Sequence, residues 1–244
     1  MSSSVRAKTP SHGFTLTELA VVLVIVALMI GGLLLPLSAQ DDIRRTQETQ
    51  KTLNEARDAL IGFAAANGRL PRPATSASNG VEISATCATD ADCSGLVPWA
   101  TLGVGKLDAW NKIIRYSVTP AFANGSISLA TIPNRIVQTR DPGTGALTFL
   151  VGVPVCTSSQ CTPAVIFSHG KKNWGTSDSG TAIPDGSNPD TNVDEDQNNT
   201  GPTNYISRTP TDNTAAAGGE FDDIVVWLSP NILFNRMIAA GRLP

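Results

Sequence analysis

A single carboxylate, Glu18, stands at the mouth of the longest apolar run in the chain. From residue 19 to residue 37 every residue is uncharged, and 13 of the 19 are Leu, Ile or Val. The uncharged run continues to Gln40 and is stopped by Asp41 and Asp42. An ionised carboxylate in hydrocarbon costs several kcal/mol unless it is paired or reaches the interface. Cleavage between Gly13 and Phe14 would supply a partner, because it frees an α-amine on Phe14 with a reference pKa of about 7.7–8.0. That cation would lie about one helical turn from Glu18. It could pair within its own chain or with Glu18 of a neighbour, and so set the register of packed helices. The plain alternative is a glutamate facing lipid headgroups. Two other fates leave Glu18 unexplained. A secretory signal would be cut after Ala39, where Leu37 is a poor residue two positions earlier, and a simple signal anchor would not be cut.

Other residues with chemical potential are few. Cys87, Cys93, Cys156 and Cys161 form two sequence-local pairs in polar stretches. In an exported chain these are expected as the small-loop disulfides Cys87 with Cys93 and Cys156 with Cys161, although four cysteines allow three connectivities. Neither spacing is the Cys-x2-Cys of a zinc knuckle. Asp190, Asn192, Asp194 and Asp196 alternate oxygen-bearing side chains, the donors Ca²⁺ prefers. Glu195 occupies the place of a sharp-turn glycine, so a solvated acidic loop is the competing reading. The only histidines are His12 and His169, too few for a multi-histidine zinc site. Ser168-His169-Gly170 lacks a nucleophile elbow and any obvious partner for the imidazole, and His169 is expected as a turn residue after a strand. Gly170-Lys171-Lys172 lacks the spaced upstream glycine of a phosphate loop. No cofactor is expected beyond a structural Ca²⁺, and no enzymatic activity.

The elements that must position these residues follow from pattern and composition. A chain of 244 residues has room for one or two compact units. Its net charge of −3, with no basic block, makes nucleic acid an unsuitable partner. Residues 19–37 as a helix span about 28 Å, the thickness of a hydrocarbon core. Arg6 and Lys8 ahead of it favour a cytoplasmic N-terminus; Arg44 and Arg45 on the far side oppose this but follow Asp41 and Asp42. Leu53, Ala56, Leu60, Phe63 and Ala64 recur at helical steps, and Asn67-Gly68 is a good stop. The stretch 41–52 is polar nearly all round and is expected to face solvent or other subunits. Strands are predicted at 113–118, 126–131, 147–153, 164–168 and 223–228. Ser229-Pro230 should open a short helix reaching about Ala240. The predicted fold is α+β: a long N-terminal helix, its first half in the membrane, laid on an antiparallel β-sheet head.

The run Gly13-Phe14-Thr15-Leu16-Thr17-Glu18-Leu19, a short basic leader before it and a long apolar helix after it, resembles the prepilin cleavage and methylation motif of type IV pilins and type II secretion pseudopilins. Pro36 resembles the helix-kinking proline of these subunits. Asn67-Gly68-Arg69-Leu70-Pro71, Asp108-Ala109-Trp110-Asn111 with Ile114-Arg115-Tyr116, and the segment from Phe221 to Trp227 resemble head segments of some pilin-like proteins. There Asn111 stands where Gly is usual and Arg72 where many relatives have Cys. The resemblance implies cleavage after Gly13, N-methylation of Phe14 and assembly through Glu18 and Pro36. It implies a leader at 1–13, a transmembrane and assembly helix at 14–40, a periplasmic continuation at 41–67 and a head at 68–244. The implied partners are the prepilin peptidase, other pilin or pseudopilin subunits, an inner-membrane assembly platform and membrane lipid. The implied place is the inner membrane, N-terminus in the cytoplasm and head in the periplasm, and then a filament in which this chain is a minor subunit. Major pseudopilins hold Ca²⁺ in a late loop, which bears on the acidic run. The alternative from another class is a secreted or anchored binding module, Ca²⁺-dependent, with an ordinary export signal.

Overall fold

The structure, a computed structural model, describes residue 13, residues 15–187 and residues 190–244; over 31–39 it describes the backbone alone. Phe14 and residues 1–12 of the expected leader therefore lie outside the described residues, as does the side chain of Pro36. The elements run α1 (Leu16–Asn67), β1 (Ser94–Leu96), α2 (Trp99–Leu102), β2 (Arg115–Val118), α3 (Pro120–Asn124), β3 (Ile136–Arg140), β4 (Leu147–Val151), β5 (Ala164–Ser168), α4 (Val193–Thr200), β6 (Asn204–Ile206), β7 (Ile224–Trp227) and α5 (Pro230–Ala239). Contacts divide the chain into two compact units, Met1–Arg44 and Arg45–Pro244.

The first unit holds the start of α1. Its apolar side chains are open: Leu16 is 87% exposed and Leu28 72%. Among the described residues no helix is long and apolar enough to cross a membrane; the side chains of 31–39 are not among them.

In the second unit an antiparallel sheet in the order β1-β2-β5-β7 carries the core. Leu53, Ala56, Leu60 and Ala64 of α1, all fully buried, pack with Ile114, Tyr116 and Val118 of the β2 region and Ile166 of β5. The three- and four-residue spacing brings them onto one helix face, which is why this half of α1 can lie on a sheet. Emptying one such position, as in Leu60→Ala, costs about 2–5 kcal/mol. Phe63, expected on the same face, is only half buried and lies under the Arg69 guanidinium, 5.5 Å from its ring centre. The helix stops where expected. Gly68 turns left-handed at φ 75° and its N–H reaches Ala64 O, while Asn67 Nδ2 donates to Phe63 O at 2.9 Å.

Several expectations need correction. The polar stretch 41–52 is partly covered by its own chain: Thr49 is fully buried, and its hydroxyl accepts from Ala109 N–H at 3.1 Å. No strand forms at 126–131, where Ser128 N–H and Thr131 Oγ1 close a local turn instead. Residue 113 leaves the expected first strand to pair with Leu107 across a turn. Beside the expected sheet lies a second, mixed one in the order β4-β3-β6, with β3 and β6 parallel. Its outer strand β4 exposes Leu147, Phe149 and Leu150. The two disulfides are those expected, Cys87–Cys93 and Cys156–Cys161.

Candidate functional site

At the N-terminus, Thr15 and Glu18 bond reciprocally. Thr15 N–H and Thr15 Oγ1 each donate to Glu18 Oε2 at 2.8 Å, and Glu18 N–H donates to Thr15 Oγ1 at 3.3 Å. This is a capping box, in which an N-cap threonine and a glutamate three residues on satisfy each other's orphan amides. The Thr-x-x-Glu spacing of residues 15–18 carries this signal in the sequence. Geometrically, the box holds the carboxylate against the amide nitrogen bonded to residue 14. Glu18 and Gly13 are exposed.

In the second unit, the segment Asp108-Ala109-Trp110-Asn111 forms a tight turn. Asp108 Oδ1 accepts from Trp110 N–H at 2.9 Å and Lys112 N–H at 2.8 Å, and Oδ2 accepts from Ser168 Oγ at 2.5 Å. Asn111 adopts φ 64°, the left-handed conformation that glycine favours and asparagine tolerates. Arg45 of α1 donates to Ala109 O at 3.0 Å, which with Thr49 fixes the turn on the helix. Burial is the main influence on Asp108 and raises its carboxyl above the ordinary range.

Beyond this turn lies a polar cluster sealed inside the unit. Lys112, itself lowered by burial, donates from Nζ to the carbonyls of His169, Lys172 and Asn173 and so gathers the loop after β5. Carboxylate oxygens of Glu195, Asp222 and Asp223 lie within 4.8 Å of one another. Glu195 accepts from Asn173, Asn192 and Asp222 N–H, yet burial and the Asp223 carboxylate raise it to about 7. Asn198 donates to Asp223 Oδ2 at 2.7 Å. His169 is buried with Nδ1 3.3 Å from Asp223 Oδ1, so the imidazole has the partner that the sequence did not suggest. Ser168 spends its hydroxyl on Asp108, away from His169; neighbours on a strand point to opposite faces. Gly170 is left-handed at φ 58°, and any Cβ there would run into Asp222.

The four residues of the acidic run are divided. Residues from Val193 are helical, and the three acidic side chains of the first turn suit the positive end of α4. Asp194 is committed elsewhere. It takes Arg140 Nη2 at 2.7 Å, and Arg208 Nε lies 2.7 Å from its other oxygen as an ion pair. Asp190 and Asp196 instead converge with Asp185, all three offering oxygens within 4.8 Å. Trp174 Nε1 holds Asp196 at 2.9 Å. Asn192 donates from Nδ2 to Asp185 Oδ1 at 3.1 Å, and its buried Oδ1 has no partner. Asp185 was missed because it sits five residues before the run, across a loop that only the fold closes.

A family model described as the prokaryotic N-terminal methylation motif matches residues 8–34. The chain therefore carries a prepilin-type methylation motif and in this segment is like a type IV pilin or pseudopilin. Comparison with curated proteins and with solved structures finds no significant match.

Proposed function

We propose that this chain is a structural subunit, of minor type, of a type IV pilus or type II secretion pseudopilus. The observation that carries the reading is the methylation motif at 8–34, with Glu18 held against the amide next to residue 14. In this reading a prepilin peptidase cuts after Gly13 and methylates the Phe14 amine. Residues 14–40 then span the inner membrane with the N-terminus in the cytoplasm, and the head stands in the periplasm. The open apolar side chains of residues 16–30 support it, since they find no cover within their own unit. Lipid would cover them first and neighbouring apolar helices later, around the pairing of Glu18 with an N-terminal amine. Pro36 would shape that helix for packing. An inner-membrane platform and a separate cytoplasmic ATPase would drive extraction, and the chain itself performs no reaction. The test is the mature N-terminus by mass spectrometry from cells that contain the peptidase. N-methyl-Phe14 is expected; a start at Gln40 would make the chain a secreted module, and an intact Met1 a simple anchor.

A Ca²⁺ ion in the late acidic region forms part of the proposal. Carboxylates of Asp185, Asp190 and Asp196 offer the hard oxygen donors such an ion needs, and Asn192, whose Nδ2 donates to Asp185 Oδ1, carries an amide oxygen that has no partner. Bound there, the ion would neutralise like charges and tie the loop before α4 to the helix. Calorimetry on the full chain should give heat and a raised melting temperature at millimolar Ca²⁺. Silence on both would remove the ion from the account.

A further inference from the structure

Arg115, the first residue of β2, is the one arginine of the sheet β1-β2-β5-β7. It lies largely out of solvent, and among the described residues its guanidinium makes no hydrogen bond and no ion pair. Its Nε is fully buried without a partner. Other arginines of this unit are matched to acids, Arg69 to Glu82, Arg135 to Asp90 and Arg140 to Asp194, and Arg72 donates to Asn124 Oδ1 and Ser84 O. A buried charge left without an opposite charge is costly, which is why such charges are normally paired. Burial lowers the Arg115 pKa, opposed only by the Tyr205 hydroxyl.

The guanidinium lines a cleft of about 150 Å³ together with Ser94, Phe167, Tyr205 and residues 198–201. A water takes about 30 Å³ of liquid, so the cleft admits a group of several heavy atoms. No Asp, Glu or Lys lines it. The last turn of α4 contributes to the wall and makes no hydrogen bond to the Arg115 side chain. Tyr205 turns its hydroxyl toward Pro202 O at 3.5 Å, a long bond readily exchanged for a better acceptor.

We propose that this cleft is a binding site for a single carboxylate, received by the guanidinium of Arg115 and walled by Phe167 and Tyr205. The fork of N–H donors on one planar guanidinium matches a carboxylate's two oxygens. A single positive charge matches a monoanion, whereas a phosphate dianion would leave a net negative charge in a cleft with no second cation. The aromatic walls suit the short carbon stem that carries a carboxylate, in a small organic acid or in an Asp or Glu side chain of a second copy of this chain.

The test follows the Nε–H signals of arginine by nuclear magnetic resonance on the full chain in detergent. Sodium acetate and sodium succinate are titrated in separate runs, with sodium chloride as control. Arg115 should shift saturably with the carboxylates, while Arg69, Arg135 and Arg140, already facing acids, stay still. Arg115→Lys keeps the charge without the fork, so acetate affinity measured by calorimetry should fall at least tenfold while melting is unchanged. A shift on added acetate assigns the site to a free small anion. A shift on raising protein concentration in carboxylate-free buffer assigns it to an acidic side chain of a second copy; either upholds the site. No shift under any of these conditions, or an equal shift with chloride, overturns it.

Discussion

In the Met1–Arg44 unit Val21, Leu23, Ile25 and Leu28 are each more than half exposed, whereas in Arg45–Pro244 the polar side chains of Asp194, Glu195, Asn198 and Asp223 are sealed almost completely. The first region leaves outside what water rejects; the second draws inside what water would welcome. The difference lies in where satisfaction comes from. Most sealed polar side chains of the second region answer to another group of the same chain, as Asp194 does to Arg140 and Arg208, with Asn192 Oδ1 and Arg115 Nε among the exceptions. The open side chains of the first region have no such partner in their unit, so their stability must be supplied by whatever surrounds them.

The sharpest way to break this contrast is to put a charge on the open helix. Leu23→Asp adds roughly 3 kcal/mol to the cost of insertion near a helix centre. Recovery in sheared filaments should drop to background while the melting of the Arg45–Pro244 unit stays put. A parallel loss of melting would show that the helix surface is internal after all. Glu18→Val should leave cleavage intact but reduce incorporation several-fold, as read by immunoblot against the cleaved form; normal incorporation would detach Glu18 from assembly.

Within the sealed region, Asp194→Ala strands two guanidinium groups and should lower stability by about 3–5 kcal/mol, as measured by urea denaturation. Glu195 tests the same region through pH. Its pKa of about 7 stands above the ordinary 4.5, so the folded chain keeps a proton that the unfolded chain releases between those values. Its stabilising contribution is fully present below about pH 4.5 and is lost as pH rises toward 7. Glu195→Gln should flatten that decline by about 1–3 kcal/mol between pH 5 and 8. An unchanged slope would place the proton elsewhere. The smallest effect is expected from Asn111→Gly, which relieves a left-handed residue and should add less than about 1 kcal/mol.

What the sequence disclosed depended on how locally each element is determined. The second half of α1, β5, α5 and both disulfides rest on spacing and neighbouring signals, and each was readable. The strands β3 and β6 were not, because they are short, carry Arg140 and Asn204, and pair in parallel across more than sixty residues. Segment 126–131 has the β-branched look of a strand, but hydroxyl groups close a turn within it. The acidic run was readable as chemistry but not as geometry. Helix formation from Val193 turned Asp194 toward Arg140, while Asp185 came in from across a loop. The unmatched charge of Arg115 was invisible in the sequence, since only the fold shows which acids fail to reach it.

Strand β4 bears on how this protein behaves in the tube. It is the outermost strand of its sheet, it carries open leucine and phenylalanine side chains, and from residue 142 to residue 170 the chain has no Asp, Glu, Lys or Arg to repel a like neighbour. Concentrated solutions should therefore cloud by strand-to-strand stacking along that border, before anything unfolds. A lysine placed at Thr148 should be the first remedy for a sample that precipitates.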